Sequence, residues 1–364
     1  RALGEAVSGW AAAEGYASIV TDWRETNLLS SRAWRGLGYR AGDADVRHGS
    51  LLATPIYEGV TTACFTSARE DELLLTNAGK YSSQIASAIL SKNFNGGIFT
   101  TGGRPFFSLG YSYTDSRDRR NMYNSTAGSN YDQTAAFDRQ DPAVSRGFFG
   151  SKHNFTVSAS LAEQFLAGFD TRLSTTFVAR AGRPYSLTFG GSGRFNDSAS
   201  GSNNALLYIP TGLDDPNISP NSTISPTAAA DLVEFLHGLP CAAKYKGRTV
   251  PRNSCTNDWY YDMDVTLSQE VPGPGRFLGR EGDQIRLFAT VDNFLNLLKK
   301  KWNVQHRRHF AGLQDIATLA STPVDAQGRY VFTGFNGEDD YEADNITNVS
   351  SSVWRLKIGA SYKF

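Results

Sequence analysis

The sequence predicts an all-β fold: an antiparallel transmembrane β-barrel with long extracellular loops, to which these 364 residues contribute about eight strands. Three observations carry that prediction. Apolar and polar residues alternate with period two through segment after segment. No run approaches the roughly 20 consecutive apolar residues of a membrane helix. Long and short connections between the alternating segments follow one another in strict succession.

The closing segment, residues 353–364, shows the first observation best. Trp354, Leu356, Ile358, Ala360, Tyr362 and Phe364 fall on one parity, and Arg355, Lys357, Gly359, Ser361 and Lys363 on the other. Successive strand side chains point to opposite faces, so one face is apolar and the other wet. The segment also exceeds the roughly 9–11 residues that a tilted strand needs to cross a bilayer.

Taken in order, residues 10–24 place Trp10, Ala12, Tyr16, Ser18 and Val20 on one parity. Residues 81–93 are strand-like, and Phe94-Asn95-Gly96-Gly97 predicts a tight turn because Asn and Gly tolerate positive φ. Over 98–115, Phe107, Leu109, Tyr111 and Tyr113 oppose Ser108, Gly110, Ser112 and Thr114. Over 148–162, Phe155, Val157, Ala159 and Leu161 oppose Asn154, Thr156, Ser158 and Ser160. Residues 169–189 read as one strand carrying Phe169, Leu173 and Phe177 on its apolar face. The clearest strand spans 258–270: Trp259, Tyr261, Met263, Val265 and Leu267 oppose Asp258, Tyr260, Asp262, Asp264, Thr266 and Ser268. Over 283–296, Ile285, Leu287, Ala289 and Val291 oppose Arg286, Thr290 and Asp292.

The connections 25–78, 116–147, 190–257 and 297–352 are long, whereas 94–97, 163–168 and 271–282 are short. Alternate connections of an antiparallel meander emerge at the same end, so all the long loops should share one end of the sheet. Outer-membrane barrels have this asymmetry, and a soluble sandwich has no reason for it. A short helix is expected over 227–237 within the third long loop. The chain opens at Arg1 without a charged and then apolar leader, and reads as a fragment whose upstream part is missing.

Lys plus Arg equals Asp plus Glu, at 36 each, which argues against a nucleic-acid partner. No catalytic constellation, cofactor motif or metal-ligand spacing stands out, so the chain does not read as an enzyme. His306 and His309 form an H-x-x-H pair without a third ligand nearby and read as a solvated basic loop. The acidic run 338–342 with Asp344 lacks the calcium-loop pattern. Asp262 and Asp264 share a polar face, where a barrel lumen accepts charge, and Arg183-Pro184 reads as a structural turn. Asn154, one of several N-x-S/T sites, falls inside a strand, which argues against glycans.

Several stretches resemble Oar-like TonB-dependent outer-membrane receptors. They are Ala181-Gly182-Arg183-Pro184-Tyr185-Ser186, Asn204-Ala205-Leu206-Leu207-Tyr208-Ile209-Pro210, WYYDMDVTLSQEVP from Trp259 to Pro272, and LFATVDNFLNLL from Leu287 to Leu298. The terminal Tyr362-Lys363-Phe364 agrees, and Leu356, Ile358, Tyr362 and Phe364 resemble the β-signal that barrel-assembly machinery reads. The resemblance runs over about residues 73–364 and implies a 22-stranded barrel, an upstream plug and TonB box, and no cofactor. It also implies uptake of a large solute (peptide, protein fragment or glycan) into the periplasm, in partnership with the TonB complex. An adhesion or structural barrel without energised transport, and a soluble all-β hydrolase or lectin fragment, are the competing readings.

Trp259, Tyr261, Trp302 and Trp354 are expected at the outer membrane–water interface as an aromatic girdle, with ligand stacking as the alternative. Cys241 and Cys255 lie in one loop that this topology places in an oxidising compartment, so they are expected to pair. That leaves Cys64 as the odd cysteine. The segment between the pair, with Lys244, Lys246 and Arg248, reads as a basic lobe without a core of its own.

Overall fold

A computed structural model describes residues 81–120, 125, 127–138, 142–190, 204–280, 282–308 and 312–364. It also describes short strands at 18–26, 37–38, 46–47, 56–57 and 74–75. In chain order the principal strands are β1 (Ser18–Thr26), β2 (Ser82–Asn93), β3 (Phe106–Asp118), β4 (His153–Leu166), β5 (Phe169–Arg180), β6 (Pro184–Gly190), β7 (Cys255–Thr256), β8 (Tyr260–Pro272), β9 (Gln284–Asp292), β10 (Leu313–Val324), β11 (Tyr330–Phe335) and β12 (Arg355–Lys363). The helices used below are α1 (Ala127–Asp132), α2 (Pro226–Gly238), α3 (Pro240–Ala243), α4 (Phe294–Leu298) and α5 (Glu338–Ala343). The fold is all-β, and among the described residues no helix is long and apolar enough to cross a membrane.

Eight strands form a large antiparallel sheet in the order β1-β2-β3-β4-β5-β8-β9-β12, each paired with the next wall strand in sequence. The sheet is open, with β1 and β12 at its edges among the described residues. Its connections divide by length. The short ones (94–105, 167–168 and 273–283) lie at one end and the long ones (119–152, 181–259 and 293–354) at the other. The fourth long connection, between β1 and β2, is described only at its short strands, and Cys64 lies outside the described residues.

Register fixes what each face carries, since a slip of one residue would exchange the two sets. One row runs Leu161, Leu173, Leu267, Ala289, Ile358 and another Leu109, Val157, Phe177, Met263. On the opposite face the rows run Ser91, Ser108, Ser158, Thr176, Asp264 and Ser160, Ser174, Thr266, Thr290, Lys357. Thr266 and Thr290 share a hydrogen bond of 2.9 Å, and Lys357 Nζ lies 2.6 Å from Asp292 Oδ2. Phe288, like Phe106 and Ile89, is a large apolar side chain on this polar face. It packs over Gly359, where an added Cβ would lie 2.4 Å from the ring.

Two expectations about single strands are corrected. Residues 98–105 are not strand: the turn wraps Glu163, whose carboxylate accepts N–H bonds from Ile98 (2.6 Å), Phe99 (3.2 Å) and Thr100 (2.9 Å). A Cβ on Gly97 would lie 2.1 Å from Glu163 Oε2, so the glycine is needed for the carboxylate to enter. Nor are 169–189 one strand. The chain leaves the large sheet after Arg180 and enters a second sheet at Pro184. Gly182 marks the crossing, where an added Cβ would meet the Asn257 carbonyl oxygen at 2.0 Å.

The second sheet, ordered β7-β6-β10-β11, belongs to a lobe that the sequence reading treated as loop. Strands β6 and β10 pair in parallel, so two loops distant in sequence build one sheet. Leu187, Phe189, Leu207, Tyr208, Ile209, Ile316, Tyr330 and Phe332 are buried in its core, where α2 contributes Leu232 and Leu236 from one face. The helix starts as its sequence dictates, with Ser225 accepting from the Ala228 N–H and Pro226 in the first turn. The long loop 119–152 joins the lobe through a bridge between Ala136 and Ala205, and the end of β3 joins it through Asp118, which pairs with Arg252.

Gly182→Ala should lower the unfolding free energy by about 1–3 kcal/mol, because the methyl group has no room beside a backbone carbonyl. Gly212→Ala, with nothing within 4 Å of the new Cβ, should leave it unchanged. Denaturant titration of the two variants checks the contrast.

Candidate functional site

The polar chemistry of the lobe concentrates where it meets the large sheet. A cleft of about 590 Å³ opens there, lined by the end of β5, the starts of β6 and β8, and the loops that precede β4, β8, β10 and β12. Arg180 ends β5, Arg183 follows Gly182 at the crossing, and Arg307 and Arg308 come from the last long loop. Tyr260, Trp259 and Phe148 form much of the remaining wall.

The four guanidinium groups are held differently. Arg180 lies over the Tyr260 ring at 4.9 Å and Arg183 over Phe149 at 5.9 Å. Arg308 is buried, sits 3.6 Å from the centre of the Tyr341 ring, and donates to Gln314 Oε1 at 3.0 Å and to the Tyr341 carbonyl oxygen. The Tyr185 and Tyr341 hydroxyls share a hydrogen bond beneath it. Burial, and then the bond from Tyr185, push the Tyr341 hydroxyl pKa up, so it stays protonated.

The sequence reading missed this constellation. It took Arg183-Pro184 as a turn and His306 to His309 as solvated loop. The buried Arg308 corrects the second point. No local signal links two arginine pairs so far apart in the chain; only the parallel pairing of β6 with β10 brings them together. His306 accompanies them in the cleft, with its ring 3.2 Å from the Thr347 hydroxyl, while His309 lies outside the described residues.

The remaining sequence-predicted residues fall as follows. Cys241 and Cys255 are joined by a disulfide, with Cα atoms 5.0 Å apart. Contrary to expectation, the segment between them does have a core: Ala242 and Val250 are fully buried within the lobe. Lys244, Lys246 and Arg248 are exposed on its surface. Trp259 and Tyr261 are exposed and stack on each other at 6.3 Å, continuing to Phe155 and His153. Trp302 and Trp354 are also exposed. Leu356, Ile358, Tyr362 and Phe364 are all exposed at or near the β12 edge, Ile358 at 78%. Asp262 accepts from the Tyr260 hydroxyl at 2.9 Å, and Asp264 from the Asn293 N–H at 2.9 Å. The acidic run forms α5, and among the described residues no group of three His, Cys, Asp or Glu could hold a metal.

Two carboxylates knit the lobe. Asp215 accepts from the Tyr208 and Thr211 hydroxyls and from the N–H groups of Thr211 and Asn217. Asp325 accepts from Ser219 Oγ (2.7 Å), the Arg329 N–H (2.9 Å), Arg329 Nε (2.8 Å) and the Gln327 N–H (3.0 Å), tying the two long loops together. Burial alone would raise the Asp325 pKa, but these bonds outweigh it and hold the carboxyl at about 2.

In comparisons with known proteins, no family model, curated protein or solved structure matches the chain.

A depressed folded-state pKa means that Asp325 stabilises the lobe fully above the ordinary carboxylate range. This stabilisation is lost as pH falls from about 4 towards 2. The thermal midpoint of the lobe should therefore drop across that window. Asp325→Asn should lower the midpoint at neutral pH and flatten its acid dependence, which near-ultraviolet circular dichroism can follow.

Proposed function

We propose that this chain forms about eight strands of an outer-membrane β-barrel belonging to a TonB-dependent receptor that takes up a large solute, whether peptide, protein fragment or glycan. The observation that carries this reading is the apolar face of the large sheet. Leu173, Leu267, Leu287, Leu356 and Ile358 lie on that face and are each between 47% and 78% exposed. Soluble proteins seldom leave so continuous an apolar surface uncovered. Lipid is its natural solvent, and backbone groups in lipid must be paired, as those of the six inner strands are.

The dimensions agree. On β8 the apolar face runs from Tyr261 to Val271. Ten steps of roughly 3.3 Å, tilted by about 40°, rise about 25 Å, the height of the apolar band in such barrels. At the long-loop end that face carries the aromatic row of Tyr111, Phe155, Trp259 and Tyr261. At the other end Phe99, Phe165, Phe277 and Phe364 are exposed. Rings prefer the two interfaces of a bilayer, so we read these as its girdles. The opposite face, with its rows of hydroxyls and a groove of about 300 Å³ over Gly110, then faces the lumen.

The lobe would be the capture surface. The resemblance to Oar-like receptors supplies the energised step, with the TonB complex, acting through a segment upstream of this chain, as partner. The barrel-assembly machinery would read β12 with its Leu356, Ile358 and Tyr362 face. The sequence offers no support for enzymatic activity or a cofactor.

Val265→Arg, on the apolar face, should cost about 2–4 kcal/mol in lipid vesicles. Thr266→Arg, one residue along and facing the hydroxyl row, should cost much less. Equal costs in denaturant titrations would overturn the lipid assignment.

A further inference from the structure

We propose that the cleft between lobe and sheet is an oxyanion site that receives the carboxylate or phosphate groups of an acidic solute. The proposal rests on the receptor reading and specifies what its capture surface recognises. Four guanidinium groups line the cleft against one carboxylate, Asp258. Arg180, Arg183 and Arg307 are exposed and form no ion pair among the described residues. The end of β5 and two long loops position these groups, so their backbones are fixed by the sheet and by the packed lobe.

Arg308 provides an independent sign. Its side chain is only 7% exposed, yet the nearest carboxylate oxygen among the described residues is Glu342 Oε1 at 3.8 Å, on a side chain that is 61% exposed. Tyrosine rings and neutral acceptors satisfy its N–H groups while leaving its charge poorly compensated. A buried charge without a close counterion is costly, and an anion in the adjoining cleft would offset that cost. The intervening His309, Phe310 and Ala311 bring no carboxylate of their own.

The guanidinium fork matches a carboxylate or phosphate in two-point fashion, which lysine cannot reproduce. Phe148, Pro184 and Trp259 surround the charges with apolar wall, which lowers the local dielectric and strengthens each contact. At about 590 Å³ the cleft falls within the size range of small-molecule sites. It therefore suits a compact di- or tricarboxylate or phosphate, or the acidic end of a larger solute, rather than the whole of one.

The test is calorimetric titration of the chain in detergent micelles with citrate and, separately, inorganic phosphate, using sodium chloride at matched ionic strength as the control. Saturable binding of at least one probe is expected, with the preferred probe distinguishing carboxylate from phosphoryl chemistry. The double variant Arg183→Ala/Arg307→Ala should weaken it at least tenfold. Arg183→Lys/Arg307→Lys, which keeps the charge and loses the fork, should recover only part of the affinity. Absence of binding to either probe, or unchanged affinity in the alanine pair with the lobe's circular dichroism intact, would overturn the proposal. Flotation of the same sample with lipid vesicles separates the two readings. A chain that inserts without binding refutes the oxyanion site alone, and one that binds without inserting refutes the membrane reading alone.

Discussion

The structure depends on one constraint: a single sheet with two unlike faces. Period-two alternation gives the strands of this sheet from β3 to β12 an apolar face and a polar face, and antiparallel pairing aligns those faces from strand to strand. Among the described residues no protein layer covers the apolar side of that sheet over much of its area, as the exposure of Leu267 and Ile358 indicates. In a soluble domain the hydrophobic effect would pull a second layer over such a face. Here the main hydrophobic core lies elsewhere, in the lobe built from the long loops. The chain thus separates two kinds of burial, one against itself and one that we assign to lipid.

That separation explains the division of labour along the chain. The wall strands need only pairing and alternation, so Ser, Thr and small residues serve on the polar face and aliphatic residues on the other. The lobe needs a packed interior. Its sequence accordingly abandons alternation for clusters such as Leu206-Leu207-Tyr208-Ile209, which supplies buried side chains in succession. The Cys241–Cys255 bridge and the Asp325 network stitch loops that would otherwise close at a large entropic cost. A rigid lobe in turn can hold guanidinium groups in a partly apolar cleft, which a mobile loop could not.

The wall was legible in the sequence because its signal is local. The 260–272 and 355–363 strands announce themselves within a dozen residues, and the segregation of long loops follows from counting. Breaks were harder to see. Gly182 looks like any glycine in a strand until the Asn257 carbonyl is found beside it, and Ile98 to Pro105 runs directly into the alternating segment 106–115 and reads with it as strand, while in fact wrapping Glu163. The lobe was largely illegible, because its central pairing joins residues 184–190 to 313–324 in parallel and no periodicity spans that distance. For the same reason the arginine cleft has no sequence signature: Arg183 reads as part of a turn, Arg307 and Arg308 as part of a basic loop, and Arg180 carries no local signal.

The central claim is that the apolar face of the large sheet is solvated by lipid. Spin labels placed one at a time at residues 261 to 267 of β8, in the chain reconstituted into vesicles, test it most directly. The account requires collision with oxygen dissolved in the bilayer to peak at 261, 263, 265 and 267. Collision with a water-soluble nickel chelate should peak at 262, 264 and 266. Equal access to the nickel chelate on both parities, or loss of access to both reagents at the odd positions, would contradict it.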